Sequence, residues 1–157
     1  MTDCIFCKII NKEIPSYTVY EDEDILAFLD ISQVSKGHTL VIPKKHVADL
    51  FEYDEDLAAR VFAKIPKIAR AVRVFDPEIM GVNVLNNNGE FASQSVFHSH
   101  FHLIPRYDND SIDGFGLKWD TKGDTFSSEK FTEIKNSIIS KLEEKSWINL
   151  YKEYFLD

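Results

Sequence analysis

The chain has 157 residues, enough for one compact domain with its own core and too few for two ordinary ones. Its 44% hydrophobic and 28% charged residues exclude a disordered polymer, and no stretch approaches the ~18 apolar residues that span a bilayer. A net charge of -8 opposes binding to extended polyanions such as DNA, while a local cluster could still hold a small phosphate ligand.

The opening Met1-Thr2-Asp3-Cys4 lacks the basic and then apolar regions of a leader, so the expected location is cytoplasmic. Tyr17 to Glu21, Ile25 to Ile31 and Thr39 to Ile42 are short β-branched and aromatic runs, parted by polar turns at Asp22-Glu23-Asp24 and Ser35-Lys36-Gly37. They predict an antiparallel meander. From Asp54 the period changes: Leu57, Val61, Ile65, Ile68 and Val72 share one face of a helix led by acidic residues. Pro66 lies inside that helix and should kink it. Gly81 to Leu85 and Phe97 to Arg106 read as two more strands, joined by Asn86-Asn87-Asn88-Gly89. The expected class is therefore α+β, an antiparallel sheet with a central helix and a C-terminal helix, in a single domain over 1–157. A surface loop over 107–127 carries Gly114, Gly116 and Gly123, with Phe115 and Trp119 available for packing. A C-terminal helical extension, 128–157, should begin at Ser127 as N-cap and bury Phe131, Ile134, Ile138 and Leu142. The aromatic tail from Trp147 to Phe155 suits packing or subunit contact.

Chemistry concentrates in the histidines. All five fall in two segments, His38 to His46 and His98-Ser99-His100-Phe101-His102. On a strand, alternate side chains share a face, so His98, His100 and His102 line one side and Phe97, Ser99, Phe101 and Leu103 the other. Clustered imidazoles near neutral pH serve as nucleophile, proton donor, phosphate-binding cation or metal ligand. A three-histidine catalytic zinc is one reading. Against it, no histidine follows the run, and the chain is too short for the large barrel that commonly surrounds such metal-dependent hydrolases. The two cysteines, Cys4 and Cys7, are too few for a disulfide scaffold and leave metal binding, a redox pair or plain buried thiols.

His98 to Ile104 resembles the signature of the histidine triad family, histidine alternating with apolar residues, departing from it only at Ser99. Ile5 to Ile10, Glu13-Ile14-Pro15, Leu26 to Ser32, His38 to His46 and Gln94 to His98 are similar to family segments in family order, closest to the bacterial relatives of the histidine triad nucleotide-binding proteins. The resemblance implies a homodimer with one purine nucleotide site per subunit. It implies His100 as the nucleophile on the α-phosphate, forming a covalent nucleotidyl-imidazole, with His102 and His38 binding phosphoryl oxygens or moving protons. Asp30 would hold the ribose hydroxyls. Ile5, Phe6, Phe28 and Ile31 would enclose the base, and Asn87, Ser93 and Ser95 would meet the phosphate. Cys4, Cys7, His46 and His98 match positions at which some members hold a structural zinc; catalysis itself would need no metal. The implied activity is hydrolysis of nucleoside phosphoramidates or adenylylated compounds, of the adenosine 5'-monophosphoramidase type. The alternatives are a dinucleoside polyphosphate hydrolase, a non-catalytic nucleotide-binding module, or a hydrolase using the histidines as metal ligands. Phe91-Ala92-Ser93 stands where close relatives are richer in glycine.

Overall fold

The computed structural model describes residues 4–117, 121–122 and 125–143. The chain forms two compact units, Met1–Phe115 and Gly116–Asp157.

The first unit is built on a five-stranded sheet: β1 (Thr18–Glu21), β2 (Ile25–Leu29), β3 (Thr39–Pro43), β4 (Ile79–Asn86) and β5 (Phe101–Tyr107). Their spatial order is β1-β2-β3-β5-β4, and every neighbouring pair is antiparallel. The expected meander is present as β1-β2-β3. Strand β2 ends at Leu29 rather than Ile31: the Asp30 amide still donates to the His38 carbonyl at 3.0 Å, and the chain then turns, the Asp30 carboxylate accepting the Ser32 amide at 2.7 Å. Strand β4 is longer than Gly81 to Leu85, since its pairing with β5 runs from Ile79 to Asn86.

The two faces of the sheet have separate cores, as a period of two requires. Ile25, Ala27, Val41, Phe101 and Leu103 pack beneath helices α2 (Glu55–Phe62) and α3 (Ile65–Val74), meeting Leu57, Val61, Ile68 and Val72. Leu26, Phe28, Leu40 and Ile42 turn the other way, against Phe6 of the short helix α1 (Ile5–Ile10). The apolar stripe from Leu57 to Val72 is thus correctly one buried face, but it belongs to two helices. Pro66 does not kink a continuous helix; it occupies the first turn of α3, where its missing N–H has no intrahelical partner to lose. Asp54 caps α2, accepting the Leu57 amide at 2.7 Å. Helix α1 carries no periodic apolar signal of useful length, and the sequence reading did not separate it.

The loop after β5 is ordered by Asp113, whose carboxylate accepts from Arg106 Nε at 2.8 Å and from the Tyr107 amide at 2.9 Å. In the second unit, Ser127 Oγ accepts the Lys130 amide at 3.2 Å and begins α4 (Ser128–Glu143), as expected. The expected burial of its stripe is not observed: Phe131, Ile134, Ile138 and Leu142 are all exposed. Helical spacing identifies an apolar face without saying what covers it. Trp119, Gly123 and the tail from Trp147 to Phe155 lie outside the described residues.

Candidate active site and metal centre

The strand expected from Phe97 to Arg106 begins only at Phe101. Residues 98 to 100 spend their backbone groups elsewhere. The Ser99 amide donates to the Val47 carbonyl at 2.8 Å, the His98 carbonyl accepts from His100 Nδ1 at 2.8 Å, and the His100 carbonyl accepts from Asn86 Nδ2 at 2.9 Å. No ladder forms over 98–100, so His98 and His100 are placed individually, whereas His102 lies in β5 opposite Leu40 and Leu85.

His100 is buried, and burial lowers its pKa, keeping the ring neutral near pH 7. A carbonyl can only accept, so Nδ1 carries the proton and Nε2 keeps its lone pair. The ring lies 4.9 Å from that of His102, which burial, helped by the imidazoles of His100 and His38, pushes down to about 4. His38, immediately before β3, joins this cluster beside the β3–β5 pairing: its Nε2 lies 2.8 Å from His102 Nδ1, so the two rings share one hydrogen bond. Burial lowers the His38 pKa, opposed by the Asp30 carboxylate, whose Oδ2 is 3.7 Å from His38 Nδ1. That nitrogen is buried, and no partner meets hydrogen-bond geometry with it among the described residues.

Asp30 and His38 are held on one rung by Gln33. Its amide nitrogen donates to the carbonyls of Asp30 and His38, and its oxygen accepts the amides of Gly37 and His38 at 2.7 and 3.1 Å. Around this centre the residues expected to enclose a base divide. Phe6 and Phe28 are buried, with Phe6 edge-on to His100 at 5.3 Å, whereas Ile5 and Ile31 are exposed, Ile31 at 88%. Asn87 donates to the Ser93 carbonyl at 3.3 Å and closes a loop in which Ser93 adopts a left-handed conformation (φ 66°); Ser93 and Ser95 are exposed. Gln94 fixes that loop from beneath, accepting the Gly89 amide at 2.7 Å and donating to Ala48 and Val96 carbonyls. Gln33, Asn86 and Gln94 were not singled out from the sequence. Their spacing follows no period; the cue available was a run of side-chain amides beside the histidine segments.

His98 faces away from this group. Its Nε2 donates to the Pro43 carbonyl at 2.8 Å, so Nδ1 offers its lone pair to Cys4 Sγ (3.5 Å), Cys7 Sγ (3.6 Å) and His46 Nδ1 (3.2 Å). Cys7 Sγ is 3.3 Å from His46 Nδ1, and all four donor atoms lie within 4.8 Å of one another. Tetrahedral zinc with ordinary Zn–N and Zn–S bonds sets its ligand atoms about 3.3 to 3.8 Å apart, so the four residues fit that ion. Burial pushes the Cys7 thiol up to about 11, assisted by Cys4. Phe6 stands between the two histidine groups, edge-on to His98 at 5.8 Å as well as to His100.

Residues 11–109 match the model of the HIT domain family. A crystal structure of a HIT family member from Bacillus subtilis superposes with a TM-score of 0.85 at 55% identity, covering 91% of this chain and 99% of that one. An adenosine 5'-monophosphoramidase of Candida albicans is 40% identical over 126 residues, covering 78% of this chain and 82% of its own length. A zinc-bound histidine triad family protein of Mycobacterium smegmatis superposes with a TM-score of 0.65 at 35% identity, over 88% of this chain and 96% of that one.

Proposed function

This chain belongs to the HIT family, and we propose that it hydrolyses purine nucleoside phosphoramidates or related adenylylated compounds at the α-phosphate. The observation that carries the reading is the His100 ring, neutral, with Nδ1 tied to the His98 carbonyl and Nε2 left as a nucleophile beside the His38–His102 pair. The monophosphoramidase activity named for the Candida albicans relative supports the same reaction class.

In this mechanism Nε2 of His100 attacks phosphorus while the bond to the leaving nitrogen breaks, and the amine departs with a proton taken from solvent. Water then attacks phosphorus and returns a proton to solvent, the P–Nε2 bond breaks, and the nucleoside monophosphate leaves with the imidazole regenerated. Splitting the displacement lets a neutral nitrogen attack first, while His102, its Nδ1 held by the Nε2–H of His38, donates from its own Nε2 to a phosphoryl oxygen. Asp30 takes the ribose hydroxyls, and Ile5 and Ile31, with Phe6 and Phe28 behind them, flank the purine. Asn87, Ser93 and Ser95 meet the phosphate from the loop. Cys4, Cys7, His46 and His98 hold a structural zinc that ties the N-terminus to the catalytic segment; the zinc-bound Mycobacterium smegmatis relative supports this. Two copies associate as a homodimer, for which β4 offers an outer strand with Met80 and Val84 exposed.

The test is turnover of adenosine 5'-phosphoramidate and of diadenosine tetraphosphate by the parent protein and by His100→Ala. Cleavage of the phosphoramidate by the parent alone supports the proposal. Preference for the tetraphosphate moves the chain to the polyphosphate hydrolases. Binding of nucleotide with cleavage of neither leaves a binding module.

A further inference from the structure

A cavity of about 430 Å³ lies on the helix-covered side of the sheet, between β1, the facing ends of β2 and β3, and α3. Its walls include Val19, Leu29, Ile68 and Val72, and its volume falls in the range of small-molecule pockets. One charged side chain lines it: Lys67, whose Nζ stands 4.4 Å from the centre of the Tyr20 ring. Among the described residues Lys67 has no carboxylate partner. Asp22, two residues past Tyr20, is engaged by Lys64 at 2.8 Å and by the Tyr20 hydroxyl at 2.9 Å. An apolar groove, with Val19 and Phe75 half exposed at its rim and the exposed Lys67 ammonium over Tyr20 on its wall, matches an apolar body bearing one negative charge.

The cavity is separate from the histidine site, although the two share strands. Alternate residues face opposite ways, so Leu29 and Thr39 line the cavity while Phe28, Asp30, His38 and Leu40 belong to the other face. Gly37 completes the wall beside Thr39. It has φ +90°, and a Cβ there would meet the Phe75 ring at 2.4 Å, so the glycine lets Phe75 close that end.

We infer that this cavity binds a small amphiphilic carboxylate, its apolar part between the sheet and α3 and its carboxylate at Lys67, independently of nucleotide. The inference stands apart from the proposed reaction. Titration calorimetry with decanoate tests it, with 1-decanol as the uncharged control and Ala71→Phe as a variant that fills the cavity from an exposed helix position. Expected are saturable binding of one decanoate per chain, several-fold weaker binding of decanol and of decanoate to Lys67→Gln, and at least tenfold loss in Ala71→Phe. Near-UV circular dichroism establishes that each variant is folded. Saturating AMP leaves decanoate binding in place. Unsaturable binding, equal affinity for decanol, indifference to both folded variants, or displacement by AMP overturns the inference.

Discussion

The carbonyl of Pro43 accepts a 2.8 Å hydrogen bond from Nε2 of His98, and that contact separates His98 from the other two histidines of its run. It fixes the tautomer and points Nδ1 at Cys4, Cys7 and His46, where a bound metal would find one neutral imidazole already oriented. His100, two residues on, is fixed in the opposite sense, with Nδ1 protonated and Nε2 free. Two carbonyls thus assign two imidazoles to different chemistry.

Metal content follows from the first assignment. Protein purified without chelator is expected to carry one zinc per chain, measured by plasma mass spectrometry, and Cys4→Ser with Cys7→Ser to carry none. The double variant should melt lower by on the order of 10 °C, since the binding energy of a structural ion is folding energy. A metal-free parent with the same melting temperature as the variant defeats this assignment.

Stability should fall as the solution is acidified from pH 6.5 toward pH 4. His102 is lowered from 6.5 to about 4 and His38 is lowered as well, so in that window the unfolded chain binds protons that the folded chain does not. Their contribution is complete above the unfolded value and is lost as pH drops through the folded one. Urea denaturation across the window should show the slope, and His102→Asn should flatten it. The proposed phosphoramidase activity should decline in the same direction, because a protonated His100 cannot attack.

Asn86 holds the histidine segment through the His100 carbonyl, and is itself held by Asn88, whose Nδ2 donates to Asn86 Oδ1 at 2.8 Å. Asn86→Ala should lower kcat about tenfold with little change in KM, the pattern expected when a nucleophile loses its placement rather than substrate its contacts. Steady-state kinetics on adenosine 5'-phosphoramidate separates the two parameters. A change in KM alone argues that Asn86 binds substrate.

Ser99, the departure from the apolar pattern, is buried and receives a hydrogen bond from the Tyr53 hydroxyl at 3.2 Å. Burial pushes the Tyr53 phenol up to about 12, so it remains a donor at any working pH. Tyr53→Phe strands the Ser99 hydroxyl and should cost about 1 kcal/mol in denaturant unfolding, whereas Tyr53→Phe with Ser99→Ala should recover most of it.

Much of this architecture was legible because it follows repeats of two or of 3.6. The meander, the buried stripe from Leu57 to Val72 and the Ser127 cap were all readable, and the family resemblance placed the two histidine segments together. What escaped was set by single backbone groups. Whether Pro66 bends one helix or starts another depends on where Ala63 and Lys64 close the preceding turn, and the sequence shows a proline in either case. The histidine run reads as a strand, yet Val47, Asn86 and the His100 ring take the backbone groups that a ladder would need. The apolar face of α4 was readable as a face, while its exposure was not. Gln33 and Gln94 act through both ends of one amide, a role that no spacing announces.

A nucleotidyl bond to His100 can be trapped by rapid mixing with adenosine 5'-phosphoramidate, an alkaline quench and peptide mass mapping. The expected result is one adenylyl group on the peptide carrying His100, localised to that residue, formed before product and absent in His100→Ala. Adenylylation of His38 or His102 instead, or unchanged turnover by His100→Ala, would contradict it.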